Sequence, residues 1–203
     1  MTRLSRFQRF ALLTASTTVI TGGALLPGTA FAAPAPQAPS IAVAEAEARW
    51  AETKDAPSGI TAELPAKPKA EKVPGGHTYI ATTDSAVAQF TVIDADGVDQ
   101  NDLDFVLKGY LFGYNETVES PDEKIKSTNL RTGTTADGHH TLHADFTAPD
   151  GTVGSIGLIH TGDYVVQVAT IGFDVEPDTV RADYKQLLDS VQLPADKEPG
   201  RAT

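Results

Sequence analysis

Five histidines are the residues in this chain best suited to chemistry. Three crowd together, His139, His140 and His143, while His77 and His160 lie elsewhere. Neutral imidazole is a common metal ligand and a proton carrier near neutral pH. A structural zinc ion needs a closed tetrahedron of such ligands. If the histidine segment is a strand, His139 and His143 share one face and His140 points to the other. Four residues along a strand separate Cα atoms by ~13 Å, so two imidazoles barely reach one ion. A site would need His160 or His77 from a neighbouring strand, which makes His139, His143 and His160 the metal candidates. The spacing favours turn or solvent-facing histidines, and the expectation is no resident metal and no cofactor.

The acidic run from Asp94 through Asp96, Asp99 and Asp102 to Asp104 suggests calcium. Aligned on Gly97 as the sharp-turn glycine of an EF-hand loop, it places Asp94 and Asp96 at ligand positions. Val92 and Leu103 then stand at the two ends, where carboxylates are required. Acids ahead of a helix have a simpler use, capping its free N–H groups and complementing its dipole. Val153-Gly154-Ser155-Ile156-Gly157 resembles a nucleophile elbow but lacks the first glycine and sits inside a strand pattern, so Ser155 is not expected to attack anything. Tyr110, Tyr114, Tyr164 and Tyr184 would be polar handles in an apolar pocket, or they pack at the edge of the core. With no cysteine in the chain, thiol catalysis, disulfides and cysteine-ligated metals are excluded. No P-loop, dinucleotide fingerprint or repeat is present.

The elements that would position these residues are legible. Leu142, Ala144 and Phe146 alternate with Thr141, His143 and Asp145, as a half-buried strand requires. Turns at Pro149-Asp150-Gly151 and at residues 160–163 separate two further apolar strands, 153–159 and 164–171. Val180, Tyr184, Leu187, Leu188 and Val191 then mark one face of a closing helix, with Pro177 in its first turn. Upstream, short strands are expected at 59–64, 77–82 and 86–93, with Lys67-Pro68-Lys69 as an edge loop. Leu103, Val106, Leu107, Tyr110, Leu111 and Tyr114 recur at helical spacing, so a helix is predicted over 101–114, stopped at Gly113 or Asn115. A fourth strand is expected at 124–131. Hairpin-length turns imply an antiparallel sheet, and segregated strands and helices imply an α+β architecture.

The first 32 residues read as a secretory signal peptide. Arg3, Arg6 and Arg9 precede an apolar run, and Ala30-Phe31-Ala32 supplies the cleavage pattern. Residues 33–56 read as an Ala/Pro-rich linker with a short helix at 41–53, capped by Ser40 and carrying Trp50 near its end. The folded domain spans 57–194, and 195–203 is a disordered tail. Losing three arginines on processing would take the net charge from −11 to −14. So acidic a protein is a poor partner for nucleic acid or an anionic membrane surface.

The opening Gly-Ile-Thr-Ala-Glu-Leu-Pro-Ala-Lys-Pro at 59–68 is followed by two strands, an acidic turn and a helix. The ending runs Gly-Asp-Tyr-Val-Val-Gln-Val-Ala at 162–169, then a helix closing on Leu187-Leu188-Asp189-Ser190-Val191. In this order of elements and these end motifs the chain resembles the PsbP-like α/β/α sandwich family over 57–194. The resemblance implies a central antiparallel sheet with helices on its faces, and binding or scaffolding more than catalysis. It assigns no functional residue here. A cystatin-like or nuclear-transport-factor-like α+β fold, with a helix wrapped by a curved sheet, is the alternative. The functional expectation is a secreted, non-enzymatic domain acting on a protein or cell-envelope partner. The alternative is a small-molecule carrier or enzyme with an apolar cavity between sheet and helix.

Overall fold

Apolar runs bounded by Gly, Asp and Pro turns build most of the molecule. The computed structural model describes residues 50–194. The expected signal peptide, most of the linker, the Ser40 cap and the tail from Ala195 lie outside them. Among the described residues, nine strands and two α-helices follow one another. They are β1 (Ala51–Lys54), β2 (Thr61–Leu64), β3 (Lys69–Val73), β4 (Gly76–Thr82), β5 (Ala86–Asp94), α1 (Leu103–Thr117), β6 (Lys126–Thr134), β7 (His140–Thr147), β8 (Val153–His160), β9 (Tyr164–Gly172) and α2 (Pro177–Asp189). Seven strands form one antiparallel sheet in the order β3-β4-β5-β9-β8-β7-β6, and β1-β2 is a separate hairpin.

The sheet is covered on both sides, which is why β8 and β9 are buried almost end to end. α2 and the β1-β2 hairpin lie on one face, over Phe90, Val166, Val168 and Ile159, with Ile60, Leu64 and Leu187 filling the layer between. α1 lies on the other face across β7 and β8. Leu103 and Leu107 are buried there, and Tyr110 stacks on Phe146 with ring centroids 5.7 Å apart. Two helices packed against a mostly antiparallel sheet make this an α+β sandwich, as the sequence pattern implies.

Several expectations need correction. Ala51–Lys54 is a strand where the predicted helix 41–53 would end, because it pairs with β2 from Ala51 opposite Leu64 to Lys54 opposite Thr61. Helix propensity gives way there to tertiary pairing, and Trp50 packs against the core. Lys69, read as loop, begins the edge strand β3, whose exposed alternation carries little apolar signal. α1 runs through Gly113 and Asn115 to Thr117. Asn115 instead holds the returning chain: its Oδ1 accepts from Ile125 N at 2.9 Å and its Nδ2 donates to Ile125 O at 3.0 Å. Asp102 stands at the N-cap of α1 but its side chain makes no capping bond. Asp99 stiffens the preceding turn instead, accepting from Asn101 N at 2.8 Å and from Asn101 Nδ2 at 2.7 Å.

Candidate functional site

The sheet separates the histidines. His139 lies in the turn before β7, where its N–H donates to Thr135 Oγ1. His140 pairs in register with His160 on β8, so these two share a face. His143 is three residues along β7 from His140 and therefore points to the opposite face. There its Nδ1 lies 2.7 Å from the hydroxyl of Tyr184 on α2. The candidates His139, His143 and His160 are thus not brought together. His160 is also occupied at both nitrogens: Gly162 N–H donates to Nδ1 at 3.1 Å, which leaves the proton on Nε2 to bond Val98 O at 3.0 Å. The imidazole fastens the acidic loop to the β8-β9 turn.

Around His143 a polar group gathers between the β6 edge and α2. Ser155 is buried and its Oγ donates to Asp145 Oδ1 at 3.0 Å; Asn129 Nδ2 donates to Asp145 Oδ2 at 2.9 Å. Arg131 stands 4.0 Å from the same carboxylate. Ser155 and His143 are bonded to different partners, so no serine–histidine relay forms. Gly157 must lack a side chain, because a Cβ there would stand 2.6 Å from the Tyr184 hydroxyl and 3.2 Å from His143 Nδ1. Burial, and secondly the Arg131 guanidinium, hold the His143 imidazole below its usual range. Burial pushes the Tyr184 phenol up.

A second constellation went unread in the sequence. Asp55, in the β1-β2 loop, is buried and accepts from Ser58 N (3.0 Å), Ser58 Oγ (2.6 Å) and Tyr79 OH (3.0 Å), with His77 Nδ1 at 3.2 Å. Burial alone would raise its pKa, but the bonds from Ser58 and Tyr79 and the nearby His77 outweigh it and the carboxyl is held below its usual value. Burial and the Asp55 carboxylate push Tyr79 up to about 12. This cluster stitches the hairpin to β4; no local signal in the sequence links Asp55 to residues more than twenty positions away.

The outward surface is more informative. Opposite its buried stripe, α1 presents Phe105 and Phe112, 73% and 68% exposed. Spaced i and i+7, they lie on one side of the helix about 10 Å apart. A groove of about 360 Å³ opens beside the start of α1, lined by Asn101, Leu103, Leu130, Thr132, His140 and Leu142 among others. Leu130 across it is 54% exposed. The four tyrosines do not share a pocket: Tyr110 and Tyr114 belong to α1, whereas Tyr164 and Tyr184 pack in the core on the α2 side. A helical wheel of 103–117 would have shown the phenylalanine pair; nothing local marks Leu130.

No family model matches this sequence, and no curated protein matches it. Solved structures do. The solution structure of cyanobacterial PsbP (CyanoP) from Synechocystis aligns over 78% of this chain and 98% of its own, with a TM-score of 0.56 at 12% identity. This chain has a PsbP-like fold. A Pseudomonas aeruginosa protein of unknown function, PA94, aligns over 72% of this chain and 97% of its own at 14% identity, with a TM-score of 0.42. In the PsbP-like sheet described above, helices flank both faces, so the wrapped-helix alternative is not adopted. Among the described residues no helix is long and apolar enough to cross a membrane.

Proposed function

We propose that this chain is an exported, non-enzymatic binding domain that docks a protein partner of the cell envelope through the outer face of α1. The supporting observation is the solvent-facing pair Phe105 and Phe112. An aromatic pair on an already packed helix adds nothing to the core, and exposed apolar patches of this kind mark interaction surfaces. The polar group around His143 holds α2 to the sheet, and the Asp55 cluster holds the hairpin, so both are accounted for by architecture.

Replacing Phe112 with a photoreactive phenylalanine in the producing cells tests the reading. A single dominant adduct in the envelope or culture fluid is expected, and its mass should place the mature start at Ala33 or a few residues beyond. The double variant Phe105→Ser/Phe112→Ser should melt at nearly the same temperature as the native chain yet lose the partner. Retention of residues 1–32 would sink the export reading. An adduct pattern no different from that of a probe on the exposed Lys72 would sink the docking face.

A further inference from the structure

Every residue of β6, from Lys126 to Thr134, is exposed, and among the described residues the strand pairs only with β7. Alternate N–H and C=O groups therefore point outward along an open edge, a ready template for one more strand. This edge is locally basic. Residues 124–136 carry Lys124, Lys126 and Arg131 and no acid, in a chain with 27 acids against 16 lysines and arginines.

A bulge organises the charges. Thr128 pairs with Asp145 and Arg131 with His143, so Asn129 and Leu130 together oppose Ala144 alone. Lys126 and Arg131 are five residues apart and would point to opposite faces of a regular strand. The extra residue restores them to one face, the side that carries His143. Lys126 pairs with Thr147 and Arg131 with His143, so the cations stand four β7 residues apart, or ~13 Å. The bulge is held in place: Asn129 adopts φ 51°, in the left-handed region, and its amide is bonded to Asp145. That bond and the one from Ser155 serve both carboxylate oxygens, and Arg131 stays 63% exposed with no hydrogen bond among the described residues. Its one ion pair is the 4.0 Å contact with Asp145, and Lys126 has none among the described residues.

We infer that β6 is a recognition edge that takes up an extended acidic segment of the protein partner as an eighth strand. Acidic side chains four residues apart on that segment meet Lys126 and Arg131, while its backbone completes the ladder. Lysines and arginines on an edge also guard against self-pairing. Here the two roles agree, since a second copy would bring like charges into one seam and an acidic strand would neutralise it. The inference rests on the binding-domain reading and adds a contact separate from α1.

The test uses the full chain and a nine-residue synthetic peptide of alternating Thr and Val with glutamates four apart. Amide NMR shifts are expected along β6, with slowed hydrogen exchange at its outward N–H groups. Affinity should fall with added salt and drop by about tenfold or more in Lys126→Glu/Arg131→Glu, which should prefer the lysine version of the peptide. Backbone N-methylation of the peptide should abolish binding to the native chain, a comparison that stands even if the charge-reversed variant fails to fold. Phe105→Ser/Phe112→Ser should bind the peptide normally. Absence of β6 shifts at millimolar peptide, indifference to N-methylation or charge reversal, or pairing of two β6 edges would overturn the inference. Loss of peptide binding with intact cross-linking at α1 would overturn this inference and leave the docking face standing.

Discussion

His143 shows how one side chain can be read as chemistry and turn out to be a fastener. Its imidazole is turned to Tyr184, and burial followed by the Arg131 charge disfavours the imidazolium. The folded state then binds a proton less readily than the unfolded chain, whose histidine titrates near about 6.5. Stability therefore falls as pH drops below that value toward the lowered folded-state pKa, and is flat above it with respect to this group. Asp145, bonded to Asn129 and Ser155, is the acidic neighbour on the same face of the sheet. Thermal melts between pH 7 and 5 should show a declining melting temperature for the native chain. His143→Asn keeps an amide near the Tyr184 hydroxyl and removes the titrating group, so its curve should be flatter. An identical slope in the variant would assign the dependence elsewhere.

At the scale of elements, the two helices are anchored differently. α2 closes over the middle of the sheet, where Gly157 allows Tyr184 to approach and Thr170 Oγ1 donates to Val180 O at 3.2 Å. α1 is held chiefly by Leu103, Leu107, Tyr114 and the Tyr110–Phe146 stack. Leu107 is 3% exposed. Leu107→Ala should cost about 2–5 kcal/mol of unfolding free energy in denaturant titrations, through lost transfer energy and a residual cavity. A loss well under about 1 kcal/mol would mean that α1 collapses freely onto the sheet. Phe105 and Phe112 give the contrast: on the outer face of the same helix, their replacement should move stability little and partner binding much. Every residue of β6 is exposed, which makes it an element shaped by its edge.

For the whole molecule, the sandwich stands without cysteine, and the described residues contain no group of three or more His, Asp or Glu placed to hold a metal. The expected consequence is that EDTA leaves the melting temperature unchanged and added zinc does not raise it, as differential scanning fluorimetry would show. A fall of several degrees with chelator would reveal a site that stabilises the folded state by mass action. What the sequence determined by itself was local. Periodicity placed β4, β5, α1, the β7-β8-β9 run and α2, because alternation and 3.6-residue spacing are imposed by which side of each element meets the core. It also paired the three last strands, since tight turns leave a chain few other choices. What only the tertiary structure decided was long-range. β1 became a strand because β2 lay beside it, and β5 met β9 rather than another neighbour. Asp55 found Tyr79 and His77, and the parity of the sheet sent His143 and His160 to opposite faces. The β6 bulge, which puts Lys126 and Arg131 on one side, shows the limit most clearly. A one-residue shift in register reverses every later side chain, and nothing in the local sequence announces where that shift occurs.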